Sequence, residues 1–244
     1  MRGKFLLLIA LISFIFSTAG DAQIDGDEIL KRSDQRLIPH TCSYKMKIIT
    51  TDERGKTTES LLEGYKKGSA RNLMVVKKPE RLAGSVHLRK DEVIWSYYTT
   101  NHRLLKVAYQ SIFMGSLLNY GDVLGTELSF DYYVVETEAT EESYILTLNP
   151  REGQTGYAKV KVYIDKETML PQKREYYAVS GILMKECEFR RIQMEEGVLQ
   201  RMEQVFYEPL KEKESIVLYE EIQILDNIPD TYFNEQNLKY FGGE

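Results

Sequence analysis

Long apolar runs are scarce in this chain of 244 residues, and their scarcity excludes a polytopic membrane protein. The one sustained apolar stretch, residues 5–16, covers only 12 residues. A helix needs about 20 residues to cross the hydrocarbon layer of a bilayer. We therefore expect no membrane-spanning helix, and residues 5–16 must have another role.

Residues that catalyse reactions or bind metals are equally scarce. The three histidines, His40, His87 and His102, stand apart with no metal-ligand spacing, and each is expected in a turn or at the surface. Ser116 follows Gly115 but lies in no nucleophile-elbow pattern, and no glycine-rich phosphate loop occurs. The sequence predicts a protein without catalytic activity, metal or cofactor.

The N-terminus has the pattern of a secretory signal peptide. Arg2 and Lys4 precede the apolar stretch, and small residues follow it at positions 17–20. We expect cleavage after Ala19 or Ala22, so that residues 1–22 form the signal peptide and residues 23–244 a single domain. An uncleaved anchor is the alternative. No cysteine directly follows the small residues, so the exported domain is predicted to carry no lipid anchor.

Only two cysteines occur, Cys42 and Cys187. In an oxidising compartment they can form one disulfide, and two free buried thiols are an equal alternative.

The charge balance excludes nucleic acid as a partner. Acidic residues outnumber basic ones by 37 to 32, and no basic run is interleaved with aromatic residues. Phosphate binding depends on clustered lysine and arginine, which this chain does not have.

Apolar periodicity indicates a mainly β protein. Residues 28–37 follow a helical period, whereas from Ser43 onward the period is two, as in strands with one buried face. A closing helical turn is expected at 231–241. Strands are predicted from 43, near 158–164, and near 57–67, 70–77, 81–89, 92–98, 103–107, 128–138, 142–149, 170–179, 181–190, 198–207 and 215–224. Many consecutive antiparallel strands with little helix predict one large curved sheet or a barrel.

One segment, residues 111–124, interrupts this pattern with eight large apolar side chains. Leaving them in water would cost several kcal/mol at about 25 cal/mol per Å². We therefore place the segment inside or across the concave face of the sheet, as a helix or a compact loop. It is either a lid over a ligand or an ordinary plug of the core.

An ordered set of motifs resembles the outer-membrane lipoprotein-sorting family, the LolA-like group. The set comprises Val93-Ile94-Trp95-Ser96-Tyr97-Tyr98, Arg103-Leu104-Leu105-Lys106-Val107, Phe113-Met114-Gly115-Ser116 and Tyr120-Gly121-Asp122-Val123-Leu124, with a second block over residues 157–177. The resemblance covers nearly the whole chain after the signal peptide. This sequence departs from the family pattern at Thr99 or Thr100, where the family usually has proline, and at Leu117, where it usually has aspartate.

The resemblance implies an open antiparallel half-barrel with a short N-terminal helix and a helical or loop lid in its concavity. It also implies a periplasmic carrier or receptor for a lipid or a lipidated protein, monomeric and in transient contact with membranes only. The predicted hydrophobic lining and lid are Trp95, Tyr97, Tyr98, Phe113, Met114, Leu117, Leu118 and Tyr120. Arg103 is either a latch or head-group contact, or a plain surface cation.

Two alternatives remain open at the level of sequence. The first is a non-catalytic accessory module that docks on an envelope exporter of the resistance-nodulation-division type. The second is a secreted hydrolase on a β scaffold, which lacks a recognisable nucleophile or metal site.

Overall fold

Thirteen strands and one long helix dominate the computed structural model, which describes residues 25–125, 127–151 and 156–241. The predicted signal peptide, residues 1–22, lies outside the described residues. The helix is α1 (Gly26–Leu37). The strands are β1 (Thr41–Thr51), β2 (Thr57–Lys67), β3 (Arg71–Lys78), β4 (Val86–Lys90), β5 (Val93–Tyr98), β6 (Arg103–Val107), β7 (Tyr132–Ala139), β8 (Ser143–Pro150), β9 (Lys159–Asp165), β10 (Pro171–Tyr177), β11 (Leu183–Glu195), β12 (Val198–Glu208) and β13 (Lys213–Ile224).

All thirteen strands form one antiparallel sheet. Every strand pairs with its neighbours in sequence except at the step from β6 to β7, and β1 pairs with β13, which gives the order β6-β5-β4-β3-β2-β1-β13-β12-β11-β10-β9-β8-β7. The sheet does not close, so β6 and β7 are its two edges. The predicted fold class, a mainly β open half-barrel, is confirmed.

Residues 108–131 connect these two edges, and we call them the insert. They carry two short helices, α2 (Tyr120–Leu124) and α3 (Leu128–Asp131). Helix α1 and the insert lie on the same face of the sheet, which we call the inner face. The N-terminus of α1 is capped by the Asp25 carboxylate, which accepts hydrogen bonds from the amides of Asp27 (3.0 Å) and Glu28 (3.3 Å).

A second, smaller core covers part of the outer face. There the C-terminal segment, residues 225–241, packs Ile228, Phe233 and Leu238 against Leu73 and Leu88 of the sheet. The segment consists of two 3₁₀ turns, Asp230–Phe233 and Glu235–Asn237, followed by α4 (Leu238–Phe241). The closing helical turn predicted at 231–241 is thus present.

The sequence-based prediction places the start of two strands too early. The strand expected at 81–89 begins at Val86, because Pro79 and Gly84 frame a 3₁₀ turn, Glu80–Leu82. The strand expected at 128–138 begins at Tyr132, because the four preceding residues form α3. In both places a short helical turn carries apolar residues that resemble a strand in sequence.

Among the described residues, no helix has the length and apolar character to span a bilayer. Cys42 and Cys187 are both buried and both free, which decides between the two alternatives for the cysteines.

Candidate functional site

The insert begins with a small hairpin that turns at Met114 and Gly115. Both residues have positive φ angles, 51° and 76°, which Gly115 adopts without the steric cost that a side chain brings. The amide of Phe113 donates to the carbonyl of Leu118 at 2.8 Å, and that of Tyr120 donates to Ser111 at 3.0 Å. The turn directs the side chains of Phe113 and Leu118 toward the inner core, where both are buried.

Aromatic rings hold this hairpin against β4 and β5. The rings of Phe113 and Tyr120 pack edge to face with their centroids 5.0 Å apart, and His87 of β4 contacts both at 5.1 and 5.4 Å. The hydroxyls of Tyr98 and Tyr120 lie 2.8 Å apart. His87 is itself buried and hydrogen bonds Ser96 at 2.9 Å, so its expected place at the surface is wrong.

Six of the eight predicted lining residues come together on the inner face. Phe113, Leu118 and Tyr120 are buried in the main core, Met114 and Leu117 pack against it, and Tyr98 reaches it through its hydroxyl.

The other two, Trp95 and Tyr97, are not brought together with these six. Both pack against the core of the outer face, because alternate residues of β5 point to opposite sides of the sheet. Arg103 is exposed on edge strand β6, as the cross-strand neighbour of Tyr98.

Behind the hairpin, a buried ion pair fastens α2 to the inner face of β11, in the other half of the sheet. Lys185 of β11 donates to the Asp122 carboxylate at 2.5 Å and to the Tyr157 hydroxyl at 2.7 Å. Tyr157 in turn donates to Asp122 at 2.9 Å, and Asn119 caps α2 by accepting from the Asp122 amide. Burial and the Asp122 charge raise the pKa of Tyr157 well above its usual value.

Three more buried pairs join the inner face to the insert and to α1. Each places a cation of a strand opposite a carboxylate of a covering segment. They are Lys66–Glu127 (3.1 Å), Arg89–Asp131 (2.5 Å) and Arg174–Asp34 (3.7 Å).

Burial perturbs three titratable groups of this region. Desolvation raises the pKa of Asp34 and of Asp131, although Arg174 and Arg89 respectively act in the opposite direction. Desolvation lowers the pKa of His87 to about 3, so His87 is neutral in the folded protein near neutral pH.

A small cavity, about 60 Å³ in volume, is lined by one member of each of the four pairs. Its lining includes the insert carboxylates Asp122, Glu127 and Asp131, together with Arg174 of β10. A cavity of this size holds a water molecule or two, whereas pockets for small-molecule ligands measure about 300–1,000 Å³.

The buried cations Lys66, Arg89, Arg174 and Lys185 are absent from the sequence-based candidates. Their positions carried a signal, because each shares the strand face of buried neighbours such as Leu62, Tyr176 and Cys187. Within the described parts of the chain, no three histidine, cysteine or acidic side chains lie close enough to bind a metal ion.

Comparison with solved structures identifies the fold. A LolA superfamily protein from Nitrosomonas europaea superposes with a TM-score of 0.76 and 19% identity, over 86% of this chain and 98% of that one. A DUF1329 family protein from Desulfovibrio piger gives a TM-score of 0.74 and 20% identity, over 87% and 97% of the two chains. A Vibrio parahaemolyticus structure described as an outer membrane lipoprotein-sorting protein domain gives 0.73 and 19%, over 88% and 98%.

In sequence, no curated protein matches the chain. A family model described as "Uncharacterized protein" matches residues 68–240, which is more than half of the chain. The protein therefore belongs to this family of uncharacterized proteins, and its fold is that of the LolA superfamily.

Proposed function

We propose that the protein is a periplasmic carrier or receptor that binds a lipid, or the acyl chains of a lipoprotein, in the hollow that the insert now fills. In this role it takes part in outer-membrane lipoprotein sorting or in lipid transport, and it performs no catalysis. The shared fold supports the proposal, since solved structures with this fold are described as LolA superfamily and lipoprotein-sorting proteins.

One observation carries the proposal: the filling of the hollow is separate from the sheet that forms it. The insert joins edge strand β6 to edge strand β7, and the ladder of thirteen strands is complete without it. Its only β-bridge in the described residues is internal, between Ile112 and Asn119. Displacement of the insert therefore opens the hollow while the strand pairing stays intact.

Because the present cavity is small, the insert must move before an acyl chain can bind. At about 60 Å³ the cavity is far too small for an acyl chain. Six large side chains of the insert are buried in the space above the inner face: Tyr109, Phe113, Leu118, Tyr120, Val123 and Leu124. The structure thus corresponds to the closed form of the proposed carrier.

An acyl chain can offset the apolar part of the cost of displacing the insert. Exposing six buried apolar side chains costs roughly 9–18 kcal/mol, at about 1.5–3 kcal/mol for each. Burying a 14-carbon chain returns roughly 8–10 kcal/mol, at about 0.8 kcal/mol per methylene. The two terms are of the same order, which permits reversible exchange.

A tethered variant tests the proposal. An added Cβ on Gly156 would lie 3.6 Å from the Cβ of Gln110, close to the mean Cβ–Cβ distance of a disulfide, about 3.8 Å. The pair Gln110→Cys and Gly156→Cys is therefore expected to tie the start of the insert to the connection between β8 and β9. Uptake of a fluorescent acyl probe is measured before and after reduction, with each single variant as the matched control.

We expect the wild-type protein to take up the probe and the oxidised double variant to take up far less until it is reduced. Absence of uptake by the wild-type protein would overturn the proposed function. Equal uptake by the oxidised and reduced double variant would overturn the role of the insert.

The accessory-module alternative has one observation in its favour. Edge strand β6 exposes Leu104 and Leu105, and an exposed strand edge can dock an extended partner segment. The module would bind an exporter with no acyl probe bound, so the uptake measurement separates the two functions.

A further inference from the structure

We infer that the ligand is an anionic amphiphile, whose head group takes the place of the insert carboxylates among four cations of the inner face, three of which pair with the insert. This inference rests on the proposed function and names the chemical class of its ligand.

The inner face carries four buried cations on four different strands. Lys66 belongs to β2, Arg89 to β4, Arg174 to β10 and Lys185 to β11. Their side chains are 1%, 0%, 14% and 7% exposed. Lysine and arginine are almost never buried to this degree without partners, so the cluster requires matching negative charge.

Most of that negative charge lies on the removable part of the molecule. Asp122, Glu127 and Asp131, the partners of three of the cations, all belong to the insert. Only Asp34, the partner of Arg174, belongs to α1. When the insert leaves, four cations and one carboxylate remain on the wall of the hollow.

The guanidinium of Arg174 lies over the Phe189 ring, 4.9 Å from its centroid, but one of its nitrogen atoms lacks an acceptor within the described part of the closed form. Its Nε atom is buried and has no hydrogen-bond partner among the described residues. The Asp34 carboxylate lies 3.7 Å from its guanidinium, beyond hydrogen-bond distance and the longest separation of the four pairs. Since Arg174 also lines the cavity, an acceptor group that enters there finds an unused donor.

The insert thus has the chemical make-up of the ligand that it excludes. Phe113, Leu118 and Leu124 supply an apolar body, while Asp122, Glu127 and Asp131 supply anionic groups beside it. A neutral amphiphile fills the apolar part only and leaves the buried cations without counter-charge, which is strongly unfavourable. An anionic amphiphile fills the apolar part and returns part of the lost negative charge.

Three ligands matched in chain or head group test the inference by calorimetry: palmitoyl lysophosphatidylglycerol, palmitoyl lysophosphatidylcholine and inorganic phosphate. Both lysolipids carry a phosphate that can accept charge-assisted hydrogen bonds, but only the zwitterionic one also brings a fixed choline cation toward the cations of the inner face. We therefore expect the anionic lysolipid to bind at least about tenfold more tightly. Phosphate alone is expected to give no measurable binding, because it lacks the chain.

The outcomes separate this inference from the proposed function. Equal affinity for the two lysolipids overturns the anionic head group and leaves the carrier intact. Binding of neither lysolipid overturns the carrier and the inference together. Phosphate binding as tight as that of the anionic lysolipid overturns the requirement for an amphiphile.

A pair of variants assigns the head-group contact. Arg174→Met is expected to remove most of the preference for the anionic lysolipid, whereas Arg190→Met, at an exposed position of β11, removes the same charge and preserves the preference. If Arg174→Met fails to fold, Arg174→Met with Asp34→Asn removes both charges of the pair and is tested in its place. An unchanged preference in the folded Arg174 variant would overturn the assignment.

Discussion

The insert and the C-terminal segment cover opposite faces of one sheet, and they are fastened by different chemistry. The insert combines apolar packing with ion pairs whose charges are buried, as between Lys185 and Asp122. The C-terminal segment inserts Phe233 and Leu238 into the outer core, while its ion pairs, such as Lys67–Asp230, lie at the surface.

In the proposed carrier, this difference separates a removable cover from a permanent one. The attraction within a buried ion pair offsets the desolvation of its charges only in good geometry. An anionic ligand can replace the carboxylate of the insert in such a pair. Apolar contacts of the C-terminal segment have no such exchange partner, so that segment is expected to stay in place while the insert moves.

The largest expected effect comes from truncating one buried ring on each face. Phe233→Ala is expected to lower the free energy of unfolding by about 3–5 kcal/mol, because the cavity that it leaves cannot be relieved by detachment of the segment. Phe113→Ala should lower the free energy of unfolding by less. The insert can detach from the sheet, so the loss cannot exceed the free energy that detachment requires. Denaturant unfolding of both variants measures the difference, and equal losses would contradict it.

Breaking the buried pair of the insert is expected to have a slightly smaller effect. Lys185→Met leaves the Asp122 carboxylate buried without its cation and should lower the free energy of unfolding by about 3 kcal/mol. Addition of Asp122→Leu should restore much of this loss, because it removes the unpaired charge. A double-mutant cycle by chemical denaturation checks the coupling; additive losses would mean that the two residues act independently.

Acid is expected to loosen the insert side of the sheet. His87 has a pKa of about 3 in the folded protein and about 6.5 when unfolded, so the unfolded chain binds more protons between these values. Stability from this residue is present above pH 6.5 and is lost as the pH falls, by about 2 kcal/mol at pH 5. Because Asp34 and Asp131 have raised pKa values and contribute with the opposite sign, the measurement is the difference in pH dependence between wild type and His87→Gln. Identical dependence would exclude His87 as the source.

The smallest effect is expected at the surface of the C-terminal segment. Asp230→Asn removes a carboxylate that contacts both Lys67 (2.8 Å) and Arg71 (3.1 Å) at an exposed position. Since solvent and salt screen such pairs, the melting temperature should change little. A large drop would show that charge also fastens this cover.

The elements of the fold were largely predictable, because they follow from local periodicity. Strand β2 at 57–67 and strand β6 at 103–107 begin and end where alternation and the turn residues place them. The inner and outer roles of β5 were also present in the sequence, since a period of two separates Trp95 and Tyr97 from Tyr98.

The charged part of the candidate site was not predictable in the same way. The strand period places Lys66 on the face of Leu62 and Lys185 on the face of Cys187. A lysine within a strand nevertheless normally indicates the wet face, so this signal of burial is weak until the partners of the lysines are known. Those partners, Glu127 and Asp122, lie 61 and 63 residues away in the chain. Only the fold brings each pair together.

The most direct measurement of the central claim is hydrogen exchange with and without the anionic lysolipid. We expect ligand binding to increase exchange in peptides of the insert, residues 108–131, while the amides of β1, β12 and β13 and of the C-terminal segment keep their protection. An insert that stays protected in the lipid-bound protein, or strands that open together with it, would contradict the account.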